Sequence, residues 1–465
     1  MTAGAPPTDG LRVVTIDTPS LGDRSYVLHD GEVAVVVDPQ RDVDRVHAVL
    51  DAEGVRVTHV VETHVHNDYL TGGLALARAT GATYLLNGAD DVAFERTGLA
   101  DGDEVLVGDR MRLRALATPG HTFTHLSYVV EDLADAGSAG TPAPALFSGG
   151  SLLYGATGRP DLLGAEHTDA LVRHQHASAA RLVRELPAHT RLYPTHGFGS
   201  FCSATQSSAD SSTLEVERRT NPVLTSDLET YARELLAGLG SWPAYYARMA
   251  PRNRAGVEAP DLSLPPLADA ADVARAVAAG EWVIDLRERT AFARGHLPGV
   301  VGFGVDGPLA TYLGWLLPPD APVTLLGASP EQVALAQREL VRIGIDRPAR
   351  YAAGDVVTGA GATASYRTAT FADLADALDG GVTVLDVRRA EERAAGHVRG
   401  SLHVPLPELR ERLDEVPCGR EVWVHCAGGY RAAAAASILQ AAGRRVVAVD
   451  DGFDAAAATD LPLTA

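Results

Sequence analysis

The stretch Thr63-His64-Val65-His66-Asn67-Asp68-Tyr69 sets two imidazoles two residues apart, with a carboxylate two residues further on. It follows the β-branched run Val55 to Val61 and precedes Thr71-Gly72-Gly73 and an expected helix from Leu74 to Thr80. In an extended chain residues i and i+2 point the same way, so His64 and His66 can converge on one point. Neutral imidazole is the commonest side-chain ligand for zinc and ferrous iron. A polar loop that happens to contain histidine would read the same. Far downstream, Val422-Trp423-Val424-His425-Cys426-Ala427-Gly428-Gly429-Tyr430-Arg431 precedes an alanine-rich helix, Ala432 to Gln440. There a strand-like run ends in a cysteine, and the loop from Ala427 to Tyr430 can turn successive N–H groups inward as an anion-binding nest. The helix dipole and Arg431 favour thiolate over thiol, which makes Cys426 a candidate nucleophile. The bland alternative is a buried structural cysteine.

The elements that must carry these groups are short strands with tight turns between them. Strand-like runs cover Leu11 to Ile16, Ser25 to His29 and Val33 to Val37, and Asp44 to Glu53 reads as a helix. A further run, Leu113 to Ala117, ends in Thr118-Pro119-Gly120-His121, and Ala145 to Gly150 leads to Gly158-Arg159-Pro160-Asp161. Arg191 to Pro194 delivers Thr195-His196-Gly197. Four strand ends, three of them with histidine, imply ligands gathered along one sheet edge. His125, one helical turn past His121, suits support or packing. His174 and His176 fall in an expected helix, Asp169 to Leu186, and read as surface or partly buried residues.

Composition bounds the function. A chain of 465 residues predicts about three domains of ~150 residues each. With 46% hydrophobic and 22% charged residues it is an ordinary globular composition. A net charge of −20 argues against nucleic acid or an anionic membrane as partner. No run approaches ~18 apolar residues, so no transmembrane helix is expected. Met1 to Gly10 lacks the basic and apolar blocks of a secretory leader. Cys202, Cys418 and Cys426 are too few for a disulfide framework, and a reducing, cytoplasmic location follows as the expectation. Asn253 to Pro266 reads as a linker. Beyond it the chain repeats: Val283-Ile284-Asp285-Leu286-Arg287 with Gly295-His296, then Val384-Leu385-Asp386-Val387-Arg388 with Gly396-His397, 101 residues later. Gly354 to Ala364 separates the copies, each of which alternates strand and helix as parallel βαβ units do.

Thr-His-x-His-x-Asp, Pro-Gly-His-Thr, Gly-Arg-Pro-Asp-Leu and a late Thr-His-Gly occur in this order between Leu11 and Met249. The region resembles the metallo-β-lactamase fold, and within it the persulfide dioxygenase branch with its glyoxalase II-like relatives. The resemblance implies an α/β fold class: an αββα sandwich over 1–252, with metal at one edge. It also implies His64 and His121 as ligands of a single non-haem Fe(2+). The branch's third ligand is an aspartate, but that position holds Gly150, which has no side chain. Two-zinc hydrolases of this fold need a histidine where Tyr69 stands. His66 is then the natural third ligand and Asp68 the second choice, with His196 as a further ligand or support. Zn(2+) is the alternative ion, and a metal-free cluster of histidines is the bland one. Arg159 matches an arginine near the active site of such dioxygenases and is assigned either to structure or to the carboxylates of a thiol carrier. Cys202 is taken as structural ahead of a sulfur relay, and Cys418 as incidental.

The stretch from Tyr366 to Leu463 resembles a rhodanese, and its six-residue loop Cys426 to Arg431 matches the sulfur-handling kind. The resemblance implies that Cys426 takes up a sulfane sulfur, cradled by the amides of residues 427 to 431. In the earlier copy Gly327 stands opposite Cys426, so residues 267–356 are expected to form an inactive rhodanese-like domain, and 365–465 the active one, both with parallel sheets. Together these imply oxidation of a low-molecular-weight thiol persulfide to sulfite, coupled to sulfur transfer among persulfide, thiosulfate and sulfite. A homodimer is left open. The other readings are a sulfurtransferase whose first domain only binds a thiol or partner, and a glyoxalase II-type hydrolase.

Overall fold

The structure is a computed structural model that describes residues 10–134, 143–205, 209–358 and 364–464. Residues 1–9 of the stretch read as lacking a secretory leader, and residues 359–363 of the expected separator, lie outside these. The chain divides into two compact units, Met1–Pro260 with Val341–Gly344, and Asp261–Leu340 with Ile345–Ala465.

The first unit is built on two six-stranded sheets. One runs in sequence order through β1 (Arg12–Thr18), β2 (Asp23–His29), β3 (Val33–Val37), β4 (Arg56–Val61), β5 (Thr83–Asn87) and β6 (Thr97–Leu99). It is antiparallel up to β3 and parallel from there. The other orders β12 (Ser212–Thr213), β11 (Arg191–Pro194), β10 (Ala145–Gly149), β9 (Leu126–Asp132), β8 (Met111–Ala117) and β7 (Glu104–Val107), with one parallel pair, β10 and β11. The period-two geometry of a strand shows in the all-apolar β3. Val33, Val35 and Val37 join Leu113, Tyr128 and Phe147 of the second sheet in a core between the sheets. Ala34 and Val36 instead pack outward with Val46, Leu50 and Leu76 of the helices Asp44–Glu53 and Gly73–Thr80. The helix Ala165–Glu185 covers the outer face of the second sheet through Val172, Ala179 and Leu182. Layering is therefore αββα.

One expectation fails. Asn253 is not linker but lies buried in the helix Tyr246–Ala255, where its side-chain amide donates to the carbonyls of His66 and Tyr69, both at 2.9 Å, and accepts from Thr71 N–H at 3.0 Å. A few prolines nearby hid a residue that clamps the histidine loop.

The second unit holds a four-stranded parallel sheet ordered β14 (Val301–Gly302), β13 (Trp282–Asp285), β15 (Val323–Gly327), β16 (Arg350–Ala353). Beside it is a five-stranded parallel sheet ordered β17 (Arg367–Ala369), β22 (Val446–Val449), β21 (Val422–His425), β18 (Thr383–Asp386), β20 (Leu402–His403). A small antiparallel pair, β19 (His397–Val398) with β23 (Leu463–Thr464), flanks it. The internal repeat is visible in hydrogen bonds. Arg287 embraces Asp285 and reaches the Gly295 carbonyl at 2.9 Å; Arg388 embraces Asp386 and reaches the Gly396 carbonyl at 2.7 Å. Register agrees as well: Asp285 pairs with Leu326 and Asp386 with His425, which puts Gly327 where Cys426 stands in the other sheet. One apolar cluster, including Ile284, Leu325, Tyr312, Leu385, Val424 and Cys426, runs through both sheets.

Candidate functional site

In the first unit the chain leaves neighbouring strands at Asp38, Glu62, Thr118, Gly150 and Thr195, and the loops that follow bring the expected histidines together. His64, His121 and His196 each offer a ring nitrogen, all within 4.8 Å of one another. His64 Nε2 is 3.4 Å from His196 Nε2. Two nitrogens bound to one ion at ~2.1 Å are at most roughly 4.2 Å apart, so this spacing suits a shared cation. His121 Nδ1 donates to the Arg159 carbonyl at 2.8 Å, which turns Nε2 inward as an acceptor. That Nε2 is buried and has no hydrogen-bond partner among the described residues. Burial lowers the pKa of His121 to about 3 and that of His64 far below the ordinary imidazole value, helped by the surrounding imidazoles. Both rings are neutral, as ligation requires. His196 Nδ1 lies 2.9 Å from Asp23 and 3.2 Å from Asp68, the carboxylate–histidine arrangement that orients metal-binding imidazoles. Burial would lower its pKa, but Asp68 and Asp23 outweigh burial and lift it to about 10, so to ligate, His196 would have to give up its Nε2 proton while keeping Nδ1–H toward Asp23. The residues present thus fit a single cation, and an all-imidazole set suits iron and zinc alike.

His66 lies beside the same cluster, its ring 4.1 Å from that of His64, and shares ligand-atom groups both with Asp68 and His196 and with Asp38 and Glu62, the last two at 3.3 Å. Tyr69 packs its ring against His66 and sets its hydroxyl 3.0 Å from Nε2. Burial would lower the His66 pKa, yet Asp38 and Glu62 raise it to about 9, so it is an imidazolium at neutral pH. Asp38, at a left-handed φ of 49°, also accepts from Thr63 N–H at 2.7 Å and from the Thr63 and Thr195 hydroxyls. His66 thus bridges the buried carboxylates Asp38 and Glu62, while His196 joins His64 and His121 in a three-imidazole group. Asp68 supports His196. The sequence carried no signal for Asp23, Asp38 or Glu62 beyond the strand-terminal Asp38-Pro39.

Gly150 explains how the cluster closes without the aspartate. A Cβ at this position would sit 2.3 Å from His121 Cδ2, so the His121 ring packs on bare backbone. His125 is tied at both nitrogens, 2.9 Å from the Thr118 hydroxyl and 3.0 Å from Gly150 N–H, as a support. Arg159 is buried, forks onto Asp161 at 2.7 Å through two nitrogens, and donates to the Gly240 carbonyl at 2.8 Å. Its structural assignment is the one the geometry favours. Cys202 is buried beside Asp68, and burial with Asp68 and Asp23 pushes its thiol up, away from reactive thiolate.

In the second unit Cys426 is buried at the end of β21 and its Sγ accepts the Gly429 N–H at 3.1 Å. Gly429 caps the helix Tyr430–Ala441 at φ 89°, and a Cβ there would collide with Asp450 at 2.2 Å. Arg431 forks onto Glu392 with both contacts at 2.6 Å. Burial raises the Glu392 pKa, but Arg431 outweighs it and brings it to about 2. The guanidinium expected to face the thiolate is thus shared with a carboxylate. Ala427 and Gly428 span the turn between, with Ala427 O accepting from Phe453 N–H at 2.9 Å. Cys418 is exposed.

Residues 23–196 match the Metallo-beta-lactamase superfamily and residues 370–459 the Rhodanese-like domain. The chain is 30% identical to the mitochondrial persulfide dioxygenase of Homo sapiens over 218 residues, 45% of this chain and 74% of that one. It therefore belongs to the metallo-beta-lactamase superfamily, fused here to a carboxy-terminal rhodanese domain. It is also 30% identical over 167 residues to the hydroxyacylglutathione hydrolase of Polaromonas sp., covering 36% of this chain. The chain spans 57% of that hydrolase's length. Among solved structures, a metallo-beta-lactamase from Staphylococcus aureus subsp. aureus COL aligns at a TM-score of 0.65 and 27% identity, over 74% of this chain and 99% of that one. Among the described residues no helix is long and apolar enough to cross a membrane.

Proposed function

We propose that the protein is an enzyme of sulfane-sulfur metabolism with two reactive centres. The observation that carries this reading is Cys426, held under the Gly429 amide at a helix start in the rhodanese domain. Sγ attacks the outer sulfur of a donor such as thiosulfate, the S–S bond of the donor breaks, and sulfite leaves with the bonding pair. The thiolate becomes a persulfide, which then passes its outer sulfur to a thiol or to sulfite. Residues 365–465 form this domain. Residues 267–356 are its degenerate copy, unable to form the intermediate because Gly327 replaces the thiol.

At the first centre, over residues 1–252, His64, His121 and His196 would hold a single ferrous ion. The reaction assigned there converts a low-molecular-weight thiol persulfide, dioxygen and water into thiol, sulfite and two protons. Iron held by these three imidazoles would supply the one-electron and dioxygen chemistry that the oxidation of the persulfide needs. The chain's own part is to aim His121 Nε2 through the Arg159 carbonyl and to orient His196 through Asp23 and Asp68. Hydrolysis of the hydroxyacylglutathione type fits less well. Tyr69 occupies the place of a second-metal histidine and is spent on His66, and Gly150 offers no bridging carboxylate. Gly150 also favours a second reading, in which the first domain only binds a thiol and the protein is a sulfurtransferase. The test of the main claim is Cys426→Ser, which should abolish thiosulfate-dependent sulfur transfer to cyanide; retained transfer would overturn it.

A further inference from the structure

Arg159, the arginine expected to meet a thiol carrier's carboxylates, is spent on Asp161 and the Gly240 carbonyl. The first unit offers the carrier another place. The loops that carry His64 and His121 help to wall a cavity of about 350 Å³. Asn67, three residues after His64, and Thr122, next to His121, line it, and each is only 6% exposed. Asn67 Nδ2 and Thr122 Oγ1 are buried and have no hydrogen-bond partner among the described residues. A buried polar atom left unpaired is costly, and two in the wall of one cavity point to a ligand that pairs with them. The charged groups of the wall are Arg254, Asp90 and Asp91. Arg254 is exposed and lies within electrostatic reach of Asp90, but its guanidinium makes no hydrogen bond or ion pair among the described residues. The Thr124 hydroxyl donates to Asp90 Oδ1 at 2.7 Å, while Asp90 Oδ2 is buried without a partner among the described residues. Asp91 is exposed.

We propose that this cavity seats the carrier of the persulfide, and that the carrier is a small zwitterionic thiol with both a carboxylate and an ammonium group. The inference rests on the reading of the histidine cluster as a thiol-persulfide site, and adds the class of thiol. Arg254 takes the carboxylate, which a guanidinium fork matches in geometry and charge. Asp91 and the unpaired oxygen of Asp90 take the ammonium. The buried Asn67 amide and Thr122 hydroxyl pair with polar groups beside the thiol, which brings its sulfur toward the histidine loops. A carrier charged only through phosphates fits poorly. One guanidinium against two carboxylates leaves the wall net negative, in a chain of net charge −20.

The test is calorimetric titration of the full chain with S-methylglutathione, a zwitterionic probe, and with S-methyl coenzyme A, a phosphate-charged one. S-methylglutathione should bind at least roughly tenfold more tightly than S-methyl coenzyme A. Arg254→Gln, a change at an exposed position, should keep the unfolding midpoint and weaken S-methylglutathione roughly tenfold, the effect of a hydrogen bond to a charged group. Asp91→Asn should also weaken S-methylglutathione and narrow its lead over S-methyl coenzyme A. Absence of S-methylglutathione binding, tighter binding of S-methyl coenzyme A, or wild-type affinity in Arg254→Gln would each overturn the inference. Oxygen uptake is read separately. Iron-loaded protein that binds S-methylglutathione as expected but consumes no oxygen on adding a thiol persulfide would instead overturn the underlying oxidation reading.

Discussion

Replacing His66 with glutamine separates the two roles that the paired histidines suggest. If His66 is the charged pin between Asp38 and Glu62, its loss costs folding energy and leaves metal binding in place. Its pKa rises from 6.5 to about 9 on folding, and at 1.36 kcal/mol per unit this amounts to about 3 kcal/mol. Removing one partner from a buried ion pair costs ~3–5 kcal/mol by mutational experience, which agrees. The sign follows from the direction of the shift. A group whose pKa is raised on folding contributes fully below its unfolded value, and its contribution fades as pH climbs through the folded one. The gap between wild type and His66→Gln should therefore be widest near about pH 6 and close toward about pH 10. Amide exchange of peptides over β4, in chelator, reads the opening free energy of this unit alone. Elemental analysis of protein from iron-supplemented cultures reads the metal. Loss of metal with unchanged, pH-independent stability would refute the assignment and return His66 to the ligand set.

Two further perturbations probe the same cluster. Asp23→Asn removes the carboxylate that orients His196 at 2.9 Å, and should weaken metal affinity roughly 10–100-fold in a chelator competition; unchanged affinity would mean that His196 does not ligate. Gly150→Ala forces a methyl group into the His121 ring and should cost ~1–3 kcal/mol of stability together with metal occupancy, read by thermal unfolding and metal analysis. A neutral effect would show that the His121 ring is free to move aside.

Much of this was legible in the sequence because strand ends and turns are local. Val33–Val37, Asp44–Glu53 and Arg191–Pro194 form as their apolar patterns and turn residues dictate. The Cys426 loop is likewise contiguous, so thiol, amide and helix start could be read together. What failed were partnerships across the fold. His64 and His66 share a motif, yet His66 also meets two buried carboxylates, Glu62 just before the motif and Asp38 at the end of a neighbouring strand. Asp38 is 25 residues from its Thr63 partner, and Asp23 is 173 residues from His196. Asn253 read as linker because its role lies wholly in contacts with a loop far upstream. Arg431 was assigned to the thiol on proximity in sequence, and the structure adds a second partner, Glu392, on a separate helix.

The most direct test follows the products formed when a low-molecular-weight thiol persulfide is added, in air, to anaerobically purified, iron-loaded protein. The wild type should consume oxygen and release thiosulfate. Cys426→Ser should consume as much oxygen but release sulfite. Iron-loaded wild type that takes up no oxygen would contradict the account, leaving the thiol loop as the only reactive centre.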